Sequence, residues 1–410
     1  MKRRQWISRA GAAGFGLGVP GLWSGAYAQT RSSAASPKLV VVLLRGAVDG
    51  LNVVVPHGEA EYYRARTSIA VAPPGQDNGA LDLDGRFGLH PALAPVLPLW
   101  QQGTLAFVHA AGSADPTRSH FDAQDYMESG TPGRKSTGDG WMNRLLEGLP
   151  PGGGTTRAIS VGPVMPRILS GRMVATNIAS GAAAARPGPL DRPAVGDAFN
   201  RLYQGNDALA RAYRDARESH QEVMTSLEQE MRAADNGAPL PNGFPTDAAN
   251  VARLMRSGRV QLAFLALGGW DTHVNQGAAT GQLASRLTPL AQGLATLARE
   301  LGPQWDETVV VVMSEFGRTV RQNGNNGTDH GHGNVMWLLG GRVAGGRVHG
   351  QWPGLAQAQL YEGRDLAVTT DFRAVLTQVA ERHMRLTDAQ LERVFPSWKG
   401  AGEPLSLLRA

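Results

Sequence analysis

Three continuous apolar runs, at residues 38–44, 260–267 and 309–313, constrain the fold of this chain more than any other feature. Each run is rich in valine or leucine and lacks the alternating polar residues of a half-exposed strand. Such runs are typical of strands that are buried on both faces of a parallel sheet. A helical pattern separates the second run from the third, so the sequence predicts an α/β fold with parallel crossover connections.

Each apolar run is followed within a few residues by a carboxylate. Asp49 follows the first run, and Asp271 follows the second, with His273 two residues later. Glu315 follows the third run. In open α/β sheets, ligands bind beyond the carboxyl ends of the strands, so a site is expected at these positions. Taken alone, Asp49 has two interpretations, as the cap of the next helix or turn or as a metal ligand.

A glycine-rich loop follows the third run and ends in Asp329, His330 and His332. Two imidazoles on either side of one glycine, next to a carboxylate, suit a loop that wraps around a divalent metal. The alternative is a solvated loop that contains two histidines. This loop and the three strand-terminal acids together favour a metal site.

Ser119 marks a second candidate feature. It stands at the start of a predicted helix over residues 119–128, where Asp122 is spaced to complete a cap, and it follows a predicted strand at 104–109. Capping alone accounts for a serine at this position. A hydroxyl at the positive end of a helix dipole can also attack a bound anionic group, so the two interpretations share one geometry.

The N-terminus predicts export. Arg3 and Arg4 precede a weakly apolar segment rich in glycine and alanine, and residues 26–28 (AYA) supply a small-residue cleavage site. We interpret residues 1–28 as a twin-arginine signal peptide and residues 29–37 as a linker. A membrane anchor is the weaker interpretation, because the apolar stretch is short and Pro20 interrupts it. The mature chain is therefore expected to be periplasmic or secreted, with the twin-arginine translocase as a transient partner and no stable membrane insertion.

Charge and cysteine content exclude several classes of function. The chain has 40 basic and 35 acidic residues, and its first 28 residues contain four of the basic ones and no acid. The remainder carries 36 basic against 35 acidic residues, a formal charge of +1, which predicts no nucleic-acid partner. There is no cysteine, so disulfides and thiol chemistry are excluded.

The rest of the pattern predicts one α/β domain over residues 38–410, with an insertion at about 110–245. Helices are expected at 282–301 and 371–382. Residues 150–197 are rich in glycine and proline and are expected to form loops around a site. Residues 198–234 have a helical stripe, which predicts a helix or helical pair on the sheet and, as an alternative, a partner-binding surface.

Five motifs in this order resemble a bacterial family known as domain of unknown function 1501. The motifs are residues 44–51 (LRGAVDGL), 119–124 (SHFDAQ), 270–273 (WDTH), 314–319 (SEFGRT) and 329–334 (DHGHGN). The family belongs to the alkaline phosphatase and sulfatase superfamily, and the resemblance covers nearly the whole mature chain. It implies an alkaline-phosphatase-like three-layer sandwich with a mostly parallel central sheet, helices on both faces and a partly helical insertion.

The resemblance also implies a set of site residues and a chemistry. The metal ligands would be Asp49, Asp271, His273, Glu315, His330 and His332. The catalytic residues would be Ser119, as nucleophile, with Arg118 and Arg318, and the substrate-binding residues would be Arg45, His120 and Asn334. The implied cofactor is one or two divalent metal ions, with zinc expected and manganese or magnesium as alternatives. The implied activity is hydrolysis of a phosphate or sulfate ester, carried by a small molecule or a polymer.

Two departures from the superfamily pattern leave a second function open. Phe316 stands where superfamily phosphatases have a ligating histidine, so a metal loses one imidazole unless His330 replaces it. The residues after Ser119 lack the pattern in which sulfatases oxidise their nucleophile, which argues against that maturation. The second departure is the spacing from Asp271 to His273, which is shorter than the usual one in the superfamily, and either departure could leave a fold that binds without turnover. The alternative is therefore a catalytically silent exported metalloprotein that binds a polyanion, a surface polymer or a partner protein.

Overall fold

The computed structural model describes residues 36–152, 156–178, 180, 231, 233–400 and 405–409. Within them, the strands are β1 (Lys38–Leu44), β2 (Val54–Val55), β3 (Leu81–Asp82), β4 (Gly88–Leu89), β5 (Leu105–Gly112), β6 (Ala158–Val161), β7 (Thr176–Ile178), β8 (Leu262–Leu267), β9 (Thr308–Ser314), β10 (Asn334–Leu339), β11 (Arg347–His349) and β12 (Thr370–Asp371). The described α-helices are α1 (Gly50–Val53), α2 (Ala60–Ala65), α3 (Leu97–Gln101), α4 (His120–Ser129), α5 (Trp141–Gly148), α6 (Phe244–Arg256), α7 (Gln282–Leu301), α8 (Phe372–Gln378) and α9 (Asp388–Val394).

Nine of the described strands form one sheet. Its order is β11-β5-β10-β9-β1-β8-β6-β7, and β12 also pairs with β5. Strand β10 runs antiparallel to β5 and β9, and the other described pairings within this sheet are parallel. The predicted mostly parallel sheet is therefore confirmed. Strands β2, β4 and β3 form a small antiparallel sheet beside it.

Helices cover both faces of the large sheet, which makes three layers. Val40 and Val42 of the central strand β1 lie in one core cluster with Leu287 of α7. Val41 lies in a second cluster, on the opposite face, with Leu145 of α5. Because successive side chains of a strand point to opposite faces, a run that is apolar at every position needs cover on both sides. The uninterrupted apolar runs thus account for the three layers.

The structure corrects one prediction and leaves others untested. The expected loops at 150–197 contain β6 and β7, which extend the sheet beside β8. These strands are short and are surrounded by glycine and proline, so the sequence shows no periodic pattern that would predict them. The predicted signal peptide and most of the linker and of the helical stretch at 198–234 lie outside the described residues. No helix in the described ranges is long and apolar enough to span a membrane.

Candidate metal centre

The sheet order brings distant segments to one edge. Strand β1 lies between β8 and β9, and Leu44 is level with Leu267 on one side and Ser314 on the other. The chain therefore leaves all three strands at the same edge. The antiparallel strand β10 begins at that edge, and β5, antiparallel to β10, ends there. The segments that follow or precede these five strands meet as a result.

Three imidazoles converge at this edge. His120 comes from the first residue of α4, His273 from the turn after β8 and His330 from the loop before β10. The Nε2 atom of His330 lies 3.0 Å from Nε2 of His120 and 3.0 Å from Nε2 of His273. The carboxylate of Asp271 lies among them, with Oδ1 at 3.0 Å from Nε2 of His273 and Oδ2 at 3.6 Å from Nε2 of His120.

The opposite nitrogen of each ring has an acceptor. Nδ1 of His120 lies 2.7 Å from Oε1 of Glu315, and Nδ1 of His273 lies 3.2 Å from Oδ1 of Asp329. Nδ1 of His330 lies 2.9 Å from the carbonyl oxygen of Arg118. Because carboxylates and carbonyls only accept, each Nδ1 carries the proton and donates it. In the neutral ring each Nε2 then holds a bare lone pair, as in histidines that bind metals.

These lone pairs and the carboxylate fit a divalent cation. Acceptor atoms that face one another repel unless a cation or protons lie between them. Oδ2 of Asp271 is buried and has no hydrogen-bond partner in the described part of the chain. Donor atoms of His120, Asp271 and His330 all lie within 4.8 Å of one another. Two nitrogen ligands of a tetrahedral zinc ion are roughly 3.3 Å apart, close to the spacing found here.

Charge at the centre is strongly coupled. Burial alone raises the pKa of Asp271, but the Arg318 guanidinium and the three imidazoles hold it well below its usual range. Burial lowers the pKa of His120, yet the nearby Asp271 and Glu315 carboxylates outweigh burial and raise it to about 9. Burial lowers the pKa of His330, which keeps that ring neutral. The buried Asp271 carboxylate is therefore ionised and attracts a cation, and the neutral His330 imidazole can bind that cation.

Glu315 supports His120 from behind. Its Oε1 accepts from the Gly46 amide at 2.8 Å and from the Gln124 side chain at 3.0 Å, in addition to His120. Its Oε2 accepts from the Ser314 hydroxyl at 3.0 Å. Burial raises the pKa of Glu315, but His120 outweighs it and lowers it to about 2. The structure thus places this predicted metal ligand where it orients an imidazole.

Phe316 forms one wall of the centre. Its ring centroid lies 4.8 Å from that of His120 and 5.2 Å from that of His330. It is buried together with Ala47 and Ala123. An aromatic wall keeps water from one side of the rings, which strengthens the electrostatic interactions there. His330 comes from the far end of the same connection between β9 and β10 and lies beside the Phe316 ring.

Arg318 and two glycines fix the loops around the centre. The fully buried Arg318 guanidinium donates to Asp271 and to the carbonyls of Gly46, Ala47 and Thr328. Gly46 has φ +112°, and a Cβ there would lie 2.6 Å from the Asp271 amide nitrogen. A Cβ on Gly331 would lie 2.4 Å from the Arg318 carbonyl carbon. The chain needs glycine at both positions because backbones approach closely.

Asp49 is held by an arginine that the sequence analysis did not single out. The Arg66 guanidinium, fully buried, donates to both Asp49 oxygens at 2.5 and 3.0 Å. The Gln276 amide also donates to Asp49 at 2.6 Å, and its oxygen accepts from the hydroxyls of Thr272 and Thr328 at 2.8 Å each. Thr272 and Thr328 flank the residues of the metal centre in sequence. Asp49 thus joins the histidine loops through Gln276.

Ser119 and Arg118 adjoin the centre through the backbone. Ser119 is exposed and is the N-cap of α4, as predicted, with its hydroxyl accepting from the Asp122 amide at 3.5 Å. The Arg118 side chain donates to Glu362 and Asp365 at 2.6 and 2.7 Å. Because His120 follows Ser119 directly, the hydroxyl stands one residue from an imidazole of the centre.

Three other predicted site residues have different surroundings. The His332 ring stacks on Tyr361 with centroids 4.4 Å apart. Arg45 donates to Glu128 at 2.5 Å and to the Asn236 carbonyl at 2.9 Å. The buried Asn334 amide donates to the carbonyls of Val48 and Phe316. No hydrogen bond or ion pair within the described ranges joins these three side chains to Asp271 or the three imidazoles.

The sequence did not predict the roles that two residues have in this centre. His120 was predicted to bind substrate, and Asp329 was part of a motif without a role of its own. The signal for His120 is its place directly after a helix N-cap, because the first residues of that helix face the sheet edge. The signal for Asp329 is the histidine next to it, since metal-binding histidines commonly donate to a carboxylate.

The fold and the site define an α/β protein with a candidate metal centre at the edge of a mostly parallel sheet. The chain belongs to the family "Protein of unknown function (DUF1501)", whose model matches residues 36–395. The family prediction is therefore confirmed. No curated protein matches the sequence.

Several solved structures are distantly similar. Ps i-CgsB, solved with k-i-k-neocarrahexaose, has a TM-score of 0.40 and 12% identity over 87% of this chain and 74% of that one. The C-terminal periplasmic domain of EcEptC from Escherichia coli has a TM-score of 0.39 and 10% identity over 91% of each chain. A protein in the alkaline phosphatase superfamily from Vibrio parahaemolyticus has a TM-score of 0.34 and 11% identity over 74% of this chain and 60% of that one.

Proposed function

We propose that this chain is a metal-dependent hydrolase of phosphate or sulfate esters. The observation that supports the proposal most is the convergence of three imidazole lone pairs and one carboxylate, each imidazole held by a separate acceptor. Three nitrogen donors and one oxygen donor suit zinc, with manganese as the alternative. His120, Asp271, His273 and His330 would hold the ion, with Glu315 and Asp329 orienting two of the rings.

Ser119 is the proposed nucleophile. Its hydroxyl is exposed to solvent and lies at the N-terminus of α4, where helix dipole and backbone amides favour an anionic group. Attack forms a bond between Oγ and the phosphorus or sulfur, and the bond to the leaving-group oxygen breaks. The Ser119 proton passes to solvent, and the leaving oxygen takes up a proton. Water then cleaves the seryl ester, which releases phosphate or sulfate and restores the hydroxyl.

The protein residues around the ion have distinct tasks. A divalent cation bound here would lower the pKa of a nearby hydroxyl and offset negative charge on the ester. Arg318 and Glu315 keep Asp271 and His120 in place, because they fix the carboxylate and the ring through buried hydrogen bonds. Phe316 excludes water from one side of the centre.

The predicted signal peptide supports a periplasmic or secreted location for this activity. The twin-arginine route carries folded proteins, so the chain would cross the membrane with its histidine loops already assembled. Fractionation of cells that express the full chain tests this location. A mature chain found in the cytoplasm, with residues 1–28 retained, would contradict it.

The experiment compares the wild-type chain with Ser119→Ala and with Ser285→Ala, an exposed serine on α7. Chains purified without chelator are analysed for metal content and assayed with aryl phosphates and aryl sulfates. We expect metal-dependent turnover that falls by at least about a thousandfold in Ser119→Ala and is unchanged in Ser285→Ala. Turnover that survives in Ser119→Ala removes the nucleophile assignment. If no ester in the panel is cleaved, the alternative hypothesis of a catalytically silent metal-binding protein replaces the hydrolase hypothesis.

A further inference from the structure

A groove outside the metal centre is lined by three arginines. Arg64 comes from α2, Arg321 from the segment after β9 and Arg364 from the loop before β12. The groove encloses about 560 Å³ of empty space, part of it open to solvent. The space that water-sized molecules can occupy is about 160 Å³, less than the roughly 300 to 1,000 Å³ of enclosed ligand pockets, so the groove is an open surface feature rather than a closed pocket.

The lining is cationic along its rim and partly apolar. Glu61, which pairs with Arg64, is the one acidic residue of the lining against the three arginines. The Arg64 and Arg364 side chains are 69% and 44% exposed, so a ligand can reach both, although Arg364 also pairs with the buried Asp365 behind the lining. Arg321 is exposed, and its guanidinium has no ion pair within the described ranges, so it can bind an anionic group of a ligand. This excess of positive charge favours a ligand with several negative groups.

Three apolar side chains also contribute to the groove, Val320, Leu355 and Leu360. Val320 and Leu355 are buried, at 3% and 2% exposure, and form the floor of the groove. The half-buried Leu360 packs against them and supplies most of the apolar surface that a ligand can reach. An inorganic anion gains nothing from such a surface. A chain of linked units does, because the carbon skeleton between its charged groups can cover apolar atoms.

Arg364 connects the groove to the metal centre. Its Nη2 donates to the His330 carbonyl at 2.7 Å, and its Nε and Nη2 donate to the two oxygens of the buried Asp365 at 2.9 and 3.0 Å. The Val320 amide donates to the Arg364 carbonyl at 3.2 Å, which fixes the loop to the groove wall. A residue that lines the groove therefore touches a histidine of the centre.

We propose that this groove binds an anionic oligomer, a chain whose units carry sulfate or phosphate esters. Arg64, Arg321 and Arg364 would bind the ester groups, and the apolar side chains would contact the units between them. The role of the groove in holding substrate for cleavage rests on the proposed function of the metal centre. Binding in the groove does not rest on that function, because the side chains of Arg64 and Arg321 have no hydrogen bond or ion pair to the metal centre within the described ranges.

Fluorescence anisotropy tests the proposal with the purified full-length chain. The probes are short fluorescein-labelled dextran sulfate, dextran phosphate and neutral dextran, each measured with and without chelator. The groove variant is Arg64→Gln with Arg321→Gln. The matched control is Arg253→Gln with Arg256→Gln, which removes the same charge from exposed positions on α6. Thermal unfolding of both variants checks that they are folded.

We expect the wild type and the control to bind at least one charged dextran, with or without chelator, and not neutral dextran. The groove variant should bind at least about tenfold more weakly, because each lost contact to an ionised group weakens binding severalfold. The ratio of the sulfate and phosphate affinities identifies the ester that fits. Equal binding by the groove variant and the control overturns the proposal, as does no binding of either charged dextran or binding that chelator abolishes. None of these results depends on turnover, so the hydrolase proposal is tested separately.

Discussion

The Nε2 atoms of His120 and His330 lie 3.0 Å apart, although 210 residues separate the two histidines along the chain. Both rings donate from Nδ1 to fixed acceptors, Glu315 and the Arg118 carbonyl. Two lone pairs at this distance are stable only with a cation or a proton between them. A divalent cation would satisfy both lone pairs, so the pair supports the candidate metal centre.

Replacing His330 should remove the metal. His330→Ala deletes the nitrogen that contacts both other imidazoles, so affinity for zinc should fall by at least about a hundredfold, or roughly 2.7 kcal/mol. Elemental analysis and competition with a fluorescent chelator measure the loss. His57→Gln is the control, because the His57 ring contacts Asp82 and belongs to no candidate site. Equal zinc content in both variants would contradict the assignment.

Replacing Asp329 should weaken metal binding without destabilising the fold. Asp329→Asn removes the charge that orients His273, and we expect zinc affinity to fall about tenfold. Asp82→Asn is a matched control, since Asp82 also contacts a histidine at 3.2 Å and has 54% side-chain exposure, against 56% for Asp329. Both variants should unfold at the wild-type temperature. A change in unfolding without a change in zinc affinity would make Asp329 a structural residue only.

Replacing Gln276 should destabilise the chain and loosen the centre. Gln276→Leu keeps most of the volume but leaves Asp49, Thr272 and Thr328 without its three buried hydrogen bonds. At roughly 1 kcal/mol for each bond, the free energy of unfolding should fall by about 3 kcal/mol. Urea unfolding measures it, with the exposed Gln102→Leu as control. A loss of less than about 0.5 kcal/mol, the usual size of the effect of a surface substitution, would show that the network is dispensable.

Acid should destabilise the fold through His109. Its Nε2 donates to the Val54 carbonyl at 2.9 Å and its Nδ1 accepts from the Ala110 amide at 3.1 Å, so the buried ring is neutral. Burial lowers the pKa of His109 from 6.5 to about 4. Between these values the unfolded chain binds a proton that the folded chain does not, so stability falls as pH falls, by up to about 3 kcal/mol from this residue.

Urea unfolding at pH 7 and pH 4.5 measures this effect in the wild type and in His109→Gln. The variant should lose less stability on acidification than the wild type, because glutamine does not titrate. All other titratable groups, including Glu315, are the same in both chains, so their contributions to the loss of stability cancel in the comparison. An identical loss in the two chains would assign the acid sensitivity to other groups.

The sequence predicted the parts of the fold that depend on burial. Strands β1, β8 and β9 are apolar at nearly every position. This pattern is typical of strands buried on both faces and is not expected in a solvent-exposed strand. Strands β6 and β7 have four and three residues and carry too few positions to show a period. Their place in the sheet depends on contacts with β8, which sequence pattern does not record.

The candidate site was predictable in position more than in detail. Strand ends place Asp271, His273 and Glu315 at one edge, and glycine-rich spacing marks the loop of His330. Sequence does not show which carboxylates face a metal and which face a partner. Asp49 pairs with Arg66, which lies in a polar stretch just after α2 and has no motif of its own. Three-dimensional packing alone brings that guanidinium to the carboxylate.

The position of β1 between β8 and β9 has a consequence for how the protein is made. The first strand of the sheet pairs with residues more than 200 positions later, at Val40 with Ala263 and with Val310. While the ribosome is still building the chain, β1 has no neighbour, and the histidines that would hold a cation are not yet together. Contacts this distant slow folding. Cation uptake would therefore be one of the last events in maturation, after nearly the whole polypeptide has been synthesised.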